Sequence, residues 1–158
     1  MRTLVAGVGN VFLGDDGFGV AVARRLAATG VPDGVEVGDF GIRGIHLAYE
    51  LTSGYDLTIL VDAIPAGRAP GTLCVVEPAA PSPAPAFVDA HAMTPDAVLT
   101  LCAGLGHPPG CRVLLVGCEP ADVSPGMDLS PPVAAAVPRA ADLVLELIAK
   151  EAGRCADA

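Results

Sequence analysis

The chain has 158 residues, of which 52% are hydrophobic and 17% charged, and its net charge is −9. The length fits one domain spanning residues 1–158, and the composition is too apolar for a disordered chain. The acidity argues against binding to nucleic acid or to anionic membrane surfaces, because both call for basic patches.

Three features of the sequence predict where in the cell the protein is located. Its apolar runs are too short for a transmembrane helix, and the N-terminal segment lacks the pattern of a signal peptide. The five cysteines show no CxxC spacing, so we expect free thiols in a reducing environment. These features together predict a cytoplasmic protein.

The first part of the chain alternates short apolar runs with helical patterns. Thr3–Val8 is rich in small and β-branched residues and ends in a glycine turn, which predicts a strand. Residues 16–29 carry apolar side chains at helical spacing, and Gly30 follows them. Val35–Asp39 is a second predicted strand, residues 45–51 a second helix, and residues 56–62 a third, buried strand.

The second part continues in the same way. Residues 71–77 predict a fourth strand after a Pro-Gly turn, and the Pro/Ala-rich residues 78–87 predict an extended loop. A helix is predicted over Thr94–Leu105, with its first residue as N-cap and Pro95 at the first helical position. Residues 112–118 predict a fifth strand, and residues 131–150 a last helix containing Pro138.

The order of these elements predicts the fold. Five strands interleaved with four helices favour a three-layer α/β/α sandwich with a mostly parallel sheet. In such sheets ligands bind beyond the carboxyl ends of the strands. Polar sequences follow the predicted strands at this edge: GVGNVFLGDDGFG, DFGIRG, DAIPAG and GCEP.

Three of the side chains expected at this edge suit a metal ion. Asp15 and Asp16 begin a predicted helix, where either carboxylate is also suited to capping. Asp62 ends a buried strand, and His91 lies in a loop before a helix. If the first and third strands are neighbours, Asp16 and Asp62 meet. Two carboxylates and an imidazole would then form an open site for a divalent cation.

Other catalytic and cofactor patterns are missing from the sequence. The early glycines do not form GxGxxG, and no P-loop lysine follows them. There is no GxSxG elbow and no cysteine in a recognised nucleophile setting.

Six motifs in order along residues 3–148 carry a family resemblance. They are GVGNVFLGDDGFG, DFGIRG, ILVDAIPAGRAPGTL, DAHAMTP, VGCEP and DLSPPVAAAVP. The chain resembles the hydrogenase maturation proteases, endopeptidases that trim the C-terminal extension from the large subunit of NiFe hydrogenases. The resemblance implies an α/β/α sandwich whose five-stranded sheet has an antiparallel fourth strand.

The resemblance also implies a site and a partner. The nickel-contacting residues of the family fall on Asp16, Asp62 and His91, so it selects Asp16 over Asp15. Relatives often carry Glu where this chain has Asp16. The implied nickel is carried by the substrate, a nickel-loaded large-subunit precursor, and is not a resident cofactor. A divalent cation in the isolated protein is also compatible with these ligands.

A second region is implied to hold the substrate peptide. Asp39 and the turn formed by Gly41, Ile42, Arg43 and Gly44 are expected to line a groove for the C-terminal extension. In this loop the sequence DFGIRG departs from the DGG-type sequence of many relatives.

Two alternatives remain open from the sequence. A response-regulator-like domain also places two aspartates after the first strand and one after the third, but it needs a lysine after the fifth strand, where this chain has Cys118-Glu119. The other alternative is a non-catalytic module that binds a metal or a partner through the same residues.

Overall fold

A computed structural model describes residues 1–78, 94–104 and 112–157. The elements, in chain order, are β1 (Thr3–Val8), a 3-10 turn (Gly14–Gly17), α1 (Phe18–Thr29), β2 (Val35–Gly41), α2 (Gly44–Glu50), β3 (Leu57–Ala63), β4 (Leu73–Val76), α3 (Pro95–Gly104), β5 (Arg112–Cys118) and α4 (Pro131–Ala156). The predicted strands and helices are all present within the described residues, and the differences lie at their ends. The extended loop predicted over residues 78–87 lies outside the described residues from residue 79 onward.

The sheet has five strands in the order β2-β1-β3-β5-β4. Pairing is parallel between β1 and β2, between β1 and β3, and between β3 and β5. Only β4, at the edge, runs antiparallel to its neighbour β5. The predicted α/β fold with one antiparallel fourth strand is confirmed, and the ends of β1 and β3 lie side by side as the site prediction requires.

The two faces of the sheet bury two separate apolar clusters. Along β1, Val5 belongs to the cluster that α1 and α4 cover, while Leu4 and Ala6 belong to the cluster that α2 and α3 cover. Alternating side chains of a strand point to opposite faces, so a run of consecutive apolar residues fills both layers. This explains why the central strands are apolar throughout.

Helix ends account for the main differences from prediction. The first α-helix begins at Phe18 rather than Asp16, because a 3-10 turn occupies Gly14–Gly17. Thr94 caps α3 as predicted, since its hydroxyl accepts a hydrogen bond from Ala97 N at 3.2 Å. The last helix runs past Pro138 to Ala156, beyond the predicted end at Lys150.

Helix α1 lies unusually close to the sheet at Gly19. A Cβ atom there would lie 2.0 Å from the carbonyl oxygen of Val61 and 2.5 Å from that of Val8. A Cβ on Gly7 would in turn meet the Gly19 carbonyl at 2.4 Å. These glycines let the start of α1 rest on the ends of β1 and β3, next to the aspartates.

None of the helices within the described residues is long and apolar enough to cross a membrane.

We predict that Gly19→Ala destabilises the protein by about 3 kcal/mol or more, because the methyl group has no room between two backbone carbonyls. Gly153→Ala is the matched control: Gly153 is also helical, and a Cβ there meets nothing within 4 Å. The control should stabilise the protein by about 0.5–1 kcal/mol through helix propensity. Urea denaturation measures both, and equal effects would contradict the close approach.

Candidate active site

Asp16 and Asp62 come together at the carboxyl edge of the sheet. Asp62 is the penultimate residue of β3, and Asp16 lies in the 3-10 turn that follows β1. Gly9 lies between them, with a φ of 125°. A Cβ on Gly9 would lie 1.9 Å from the Asp16 carbonyl and 3.3 Å from Asp62 Oδ1. Only glycine therefore fits at this point, and its absent side chain allows the two aspartates to approach.

The carboxyl group of Asp62 lies in an unfavourable place for a charge. Asp62 is only 6% exposed, and within the described residues no ion pair involves it. Burial, together with the neighbouring charge of Asp16, raises the pKa of the Asp62 carboxyl to about 8. The Ala63 N–H donates to Asp62 Oδ1 at 2.8 Å and opposes this rise in pKa without cancelling it.

The carboxyl group of Asp16 is half-buried and is held by the backbone. Asn10 N–H donates to Asp16 Oδ2 at 2.8 Å. That bond holds the carboxylate against the turn that follows β1, and Gly9 of this turn lies against Asp62 of β3. The two carboxylates are thus fixed by short local hydrogen bonds, one from the turn after β1 and one from the end of β3.

Asp15 has a different role from its neighbour. Its side chain is fully buried and accepts four hydrogen bonds, from Ala121 N (2.8 Å), Asp122 N (2.9 Å), Ser130 N (2.7 Å) and Ser130 Oγ (2.8 Å). Burial alone would raise the pKa of Asp15, but these donors hold it below its ordinary value. The alternative that Asp15 or Asp16 is the N-cap is wrong, since Leu13 occupies the cap of the 3-10 turn.

Glu119 braces the loop that follows Asp62. It is buried after β5, and its carboxylate accepts hydrogen bonds from Ala66 N at 2.7 Å and Gly67 N at 3.2 Å. The segment after β5 therefore contacts both loops that carry the aspartates, one through Glu119 and one through the backbone donors to Asp15. Sequence spacing does not reveal either link, because the partners are more than 50 residues apart.

A groove opens beside the two aspartates. Residues 9–12 form one wall, residues 39–43 form the other, and Arg24 completes a cavity of about 230 Å³. An adjoining cavity of about 190 Å³ is lined by residues 42–46. The side chains of Phe12 and Ile42 are 62% and 60% exposed, so the groove offers apolar surface to a ligand.

The five residues expected to bind substrate lie along these cavities. Asp39 accepts a hydrogen bond from Arg24 Nε at 3.1 Å, and Gly41, Ile42 and Gly44 contribute to the lining. The guanidinium of Arg43 donates to the backbone carbonyls of Asp39 and Phe40. Arg43 thus holds its own loop, and its contact with a substrate peptide stays a prediction.

His91 lies outside the described residues. Among those that the structure describes, no group of three His, Cys, Asp or Glu side chains could hold a metal ion. The structure thus brings together two of the three predicted ligands, and the role of each stays a prediction.

Comparison with known proteins places this chain in a family. A family model described as hydrogenase maturation protease matches residues 20–147. Because the match covers most of the chain, the protein belongs to the hydrogenase maturation protease family, as the motifs predicted. It is therefore a peptidase of hydrogenase maturation.

Individual relatives agree with this assignment. The chain is 32% identical to the hydrogenase 2 maturation protease of Escherichia coli, over 97% of this chain and 93% of that protein. It is 34% identical to the hydrogenase expression/formation protein HupD of Rhizobium leguminosarum, over 93% of this chain and 74% of that protein. The structure of the maturating endopeptidase HybD from Escherichia coli matches with a TM-score of 0.76 and 31% identity, over 96% of this chain and 94% of HybD.

The family match and the strand order exclude the response-regulator alternative. Domains of that type have the strand order 2-1-3-4-5, whereas here β5 lies between β3 and the antiparallel β4. Such domains need a lysine after the fifth strand, but this chain has Glu119 there. Its carboxylate accepts hydrogen bonds from the loop after β3.

We predict that Asp15→Ala lowers the free energy of unfolding by about 3–5 kcal/mol, because it removes the buried acceptor of four hydrogen bonds, each worth about 1 kcal/mol. Ser130→Ala should cost about 1 kcal/mol, since it removes one of the four bonds. Asp142→Ala, at an exposed position of α4, is the control and should change stability by less than about 0.5 kcal/mol. Urea denaturation gives all three values, and a small effect of Asp15→Ala would contradict the bridging role.

A second prediction concerns pH. The pKa of Asp62 is near 3.9 in the unfolded chain and about 8 in the folded protein, so the folded state binds more protons between these values. Stability should therefore fall as pH rises from 4 to 8. Asp62→Asn removes this loss and keeps an acceptor for Ala63 N. The variant should match the wild type near pH 4 and exceed it by roughly 2–5 kcal/mol near pH 8.5.

Urea denaturation of metal-free protein in a chelating buffer measures this difference at each pH. Asp142→Asn controls for removal of an exposed carboxylate and should follow the wild-type curve. A gap between wild type and Asp62→Asn that does not change with pH would contradict the prediction.

Proposed function

We propose that the protein removes the C-terminal extension of a NiFe hydrogenase large-subunit precursor after nickel insertion. In this proposal Asp16, Asp62 and His91 contact the nickel that the precursor carries. The groove beside them receives the extension, and water is the nucleophile. Cleavage then depends on prior metal loading, which makes the enzyme a checkpoint in maturation.

The observation that carries the proposal is the burial of one carboxyl group of the acidic pair without a cationic partner. Asp62 is buried beside Asp16, and no cation contacts it among the described residues. A buried carboxylate without a partner is costly, and a divalent cation would offset that cost. A site built in this way is suited to a cation that arrives from outside.

The ligand types support a borderline ion such as nickel. Two carboxylates supply hard oxygen donors, and the imidazole of His91 would add a nitrogen donor that nickel accepts well. These groups fill only part of a coordination sphere, so a metal already bound by the precursor could be contacted without being removed. A substrate-held ion would supply Lewis-acid polarisation or a more acidic water.

The position of the groove supports a peptide substrate. It runs from the turn after β1 to the loop after β2. Because these two strands are parallel, their carboxyl ends lie at the same edge of the sheet. Asp39, Gly41 and Ile42 line it, with Arg43 and Gly44 at the adjoining cavity. An extended chain bound there would place a backbone bond near the acidic pair.

We predict that Asp16→Asn and Asp62→Asn each reduce cleavage of a nickel-loaded precursor by at least about 100-fold, because they remove a charged ligand. Both variants keep an oxygen acceptor for the local hydrogen bond, so the loops should retain their shape. His91→Ala should also lose activity. The mass of the precursor before and after incubation measures cleavage.

The controls separate the competing interpretations. Asp142→Ala should cleave at the wild-type rate, and wild-type protein should leave a nickel-free precursor intact. Normal cleavage by Asp16→Asn or Asp62→Asn would overturn the assigned site. A wild-type chain that binds the loaded precursor without shortening it would instead support the non-catalytic module.

A further inference from the structure

Asn10 lies between the acidic pair and the groove. Its backbone N–H donates to Asp16 Oδ2, and the residue lines the 230 Å³ cavity together with Phe12 and Ile42. Asn10 is therefore within reach of both the proposed metal-contacting residue and a peptide lying in the groove. Neither the sequence motifs nor the charge pattern singled out this residue.

A hydrogen bond fixes the orientation of the Asn10 carboxamide. Phe12 N–H donates to its Oδ1 at 2.9 Å, in the turn that residues Asn10, Val11 and Phe12 form. A carboxamide has its oxygen on one side and its NH₂ group on the other, so this bond determines which end is the donor. The Nδ2 group makes no hydrogen bond within the described residues, nor is it among their buried atoms that lack a partner. It is thus an oriented donor that solvent or a ligand can reach.

Both arginines of the groove donate to acceptors within the protein. Arg24 Nε donates to Asp39, and Arg43 donates to the carbonyls of its own loop. The walls otherwise consist of backbone and apolar side chains such as Phe12 and Ile42. A peptide that enters an apolar groove gives up water at its backbone carbonyls, and each such carbonyl needs a donor in exchange.

We propose that Asn10 Nδ2 donates a hydrogen bond to a backbone carbonyl of the precursor at the cleavage site. This inference rests on the proposed function, because it assumes that the groove holds the peptide to be cut. The bond to Phe12 N–H preorganises the amide, so little side-chain freedom is lost when substrate binds. Asn10 then anchors the peptide backbone next to Asp16 and Asp62.

Three substitutions separate this role from a role in the turn alone. Asn10→Asp keeps the acceptor for Phe12 N–H but removes the donor. Asn10→Ser supplies a neutral hydroxyl that can accept from Phe12 N–H and also donate. Asn10→Ala removes both functions.

We predict that kcat/KM for the nickel-loaded precursor falls about 10- to 100-fold in both Asn10→Asp and Asn10→Ala, and that Asn10→Ser recovers part of the loss. Urea denaturation should show Asn10→Asp as stable as the wild type, so that its loss of activity does not reflect unfolding. Wild-type kcat/KM in Asn10→Asp would overturn the inference, because the side chain would then serve only the turn.

Binding of the loaded precursor, measured by calorimetry, keeps the inference testable apart from cleavage. If the wild type binds the precursor without cutting it, the proposed function fails. Weaker binding by Asn10→Asp and Asn10→Ala would still support the donor role. Equal binding by all four proteins, or no binding by any, would overturn it.

Discussion

The carboxylate of Asp15 is the interaction on which the rest of the site depends. Its four hydrogen bonds join the turn after β1 to residues 121–130, two segments that are distant in sequence. Backbone bonds extend the junction, since Gly14 N donates to Gly126 O and Asp15 N to Asp122 O. Asp16 is the next residue, so its position follows from that of its neighbour. The anchoring carboxylate of Asp15 and the candidate ligand Asp16 occupy adjacent positions because consecutive side chains of a tight turn point in different directions.

Asp15 and Asp62 are both buried, but their pKa values shift in opposite directions. Asp15 is surrounded by donors, and these hold its pKa low despite its fully buried position. Asp62 receives one hydrogen bond from Ala63 and faces the charge of Asp16, and its pKa rises to about 8. The first arrangement stabilises the fold at neutral pH, whereas the second costs stability there. Such a cost is expected at a functional position, where the compensating partner is a ligand.

The sequence predicts the architecture well because its main signals are local. Apolar runs, glycine turns and caps such as Thr94 each act within a few residues. The position of β5 between β3 and β4 depends on long-range pairing instead. The site is predicted less completely. Asp16 and Asp62 were found through motif resemblance and strand ends, but the bridging role of Asp15 and the brace from Glu119 depend on partners far along the chain. Residue spacing also did not predict the 3-10 turn before α1. The close approach of α1 to the sheet at Gly19 determines where that helix begins.

The acidic pair and the groove lie next to each other, which suggests how a metal-loaded precursor could be distinguished from an unloaded one. Gly9 forms part of the groove and also lies against Asp62 and the backbone of Asp16. A peptide in the groove and a cation between the carboxylates would therefore contact the same short turn. Without the cation, burial and the charge of Asp16 oppose ionisation of Asp62, and the peptide alone would not offset that cost. Each ligand would favour the same arrangement of this turn, so the two would bind most tightly together, and coupling of this kind is reciprocal. If cleavage depends on nickel as proposed, no separate sensor for the ion is needed, because the residues proposed to bind the ion are those that shape the groove.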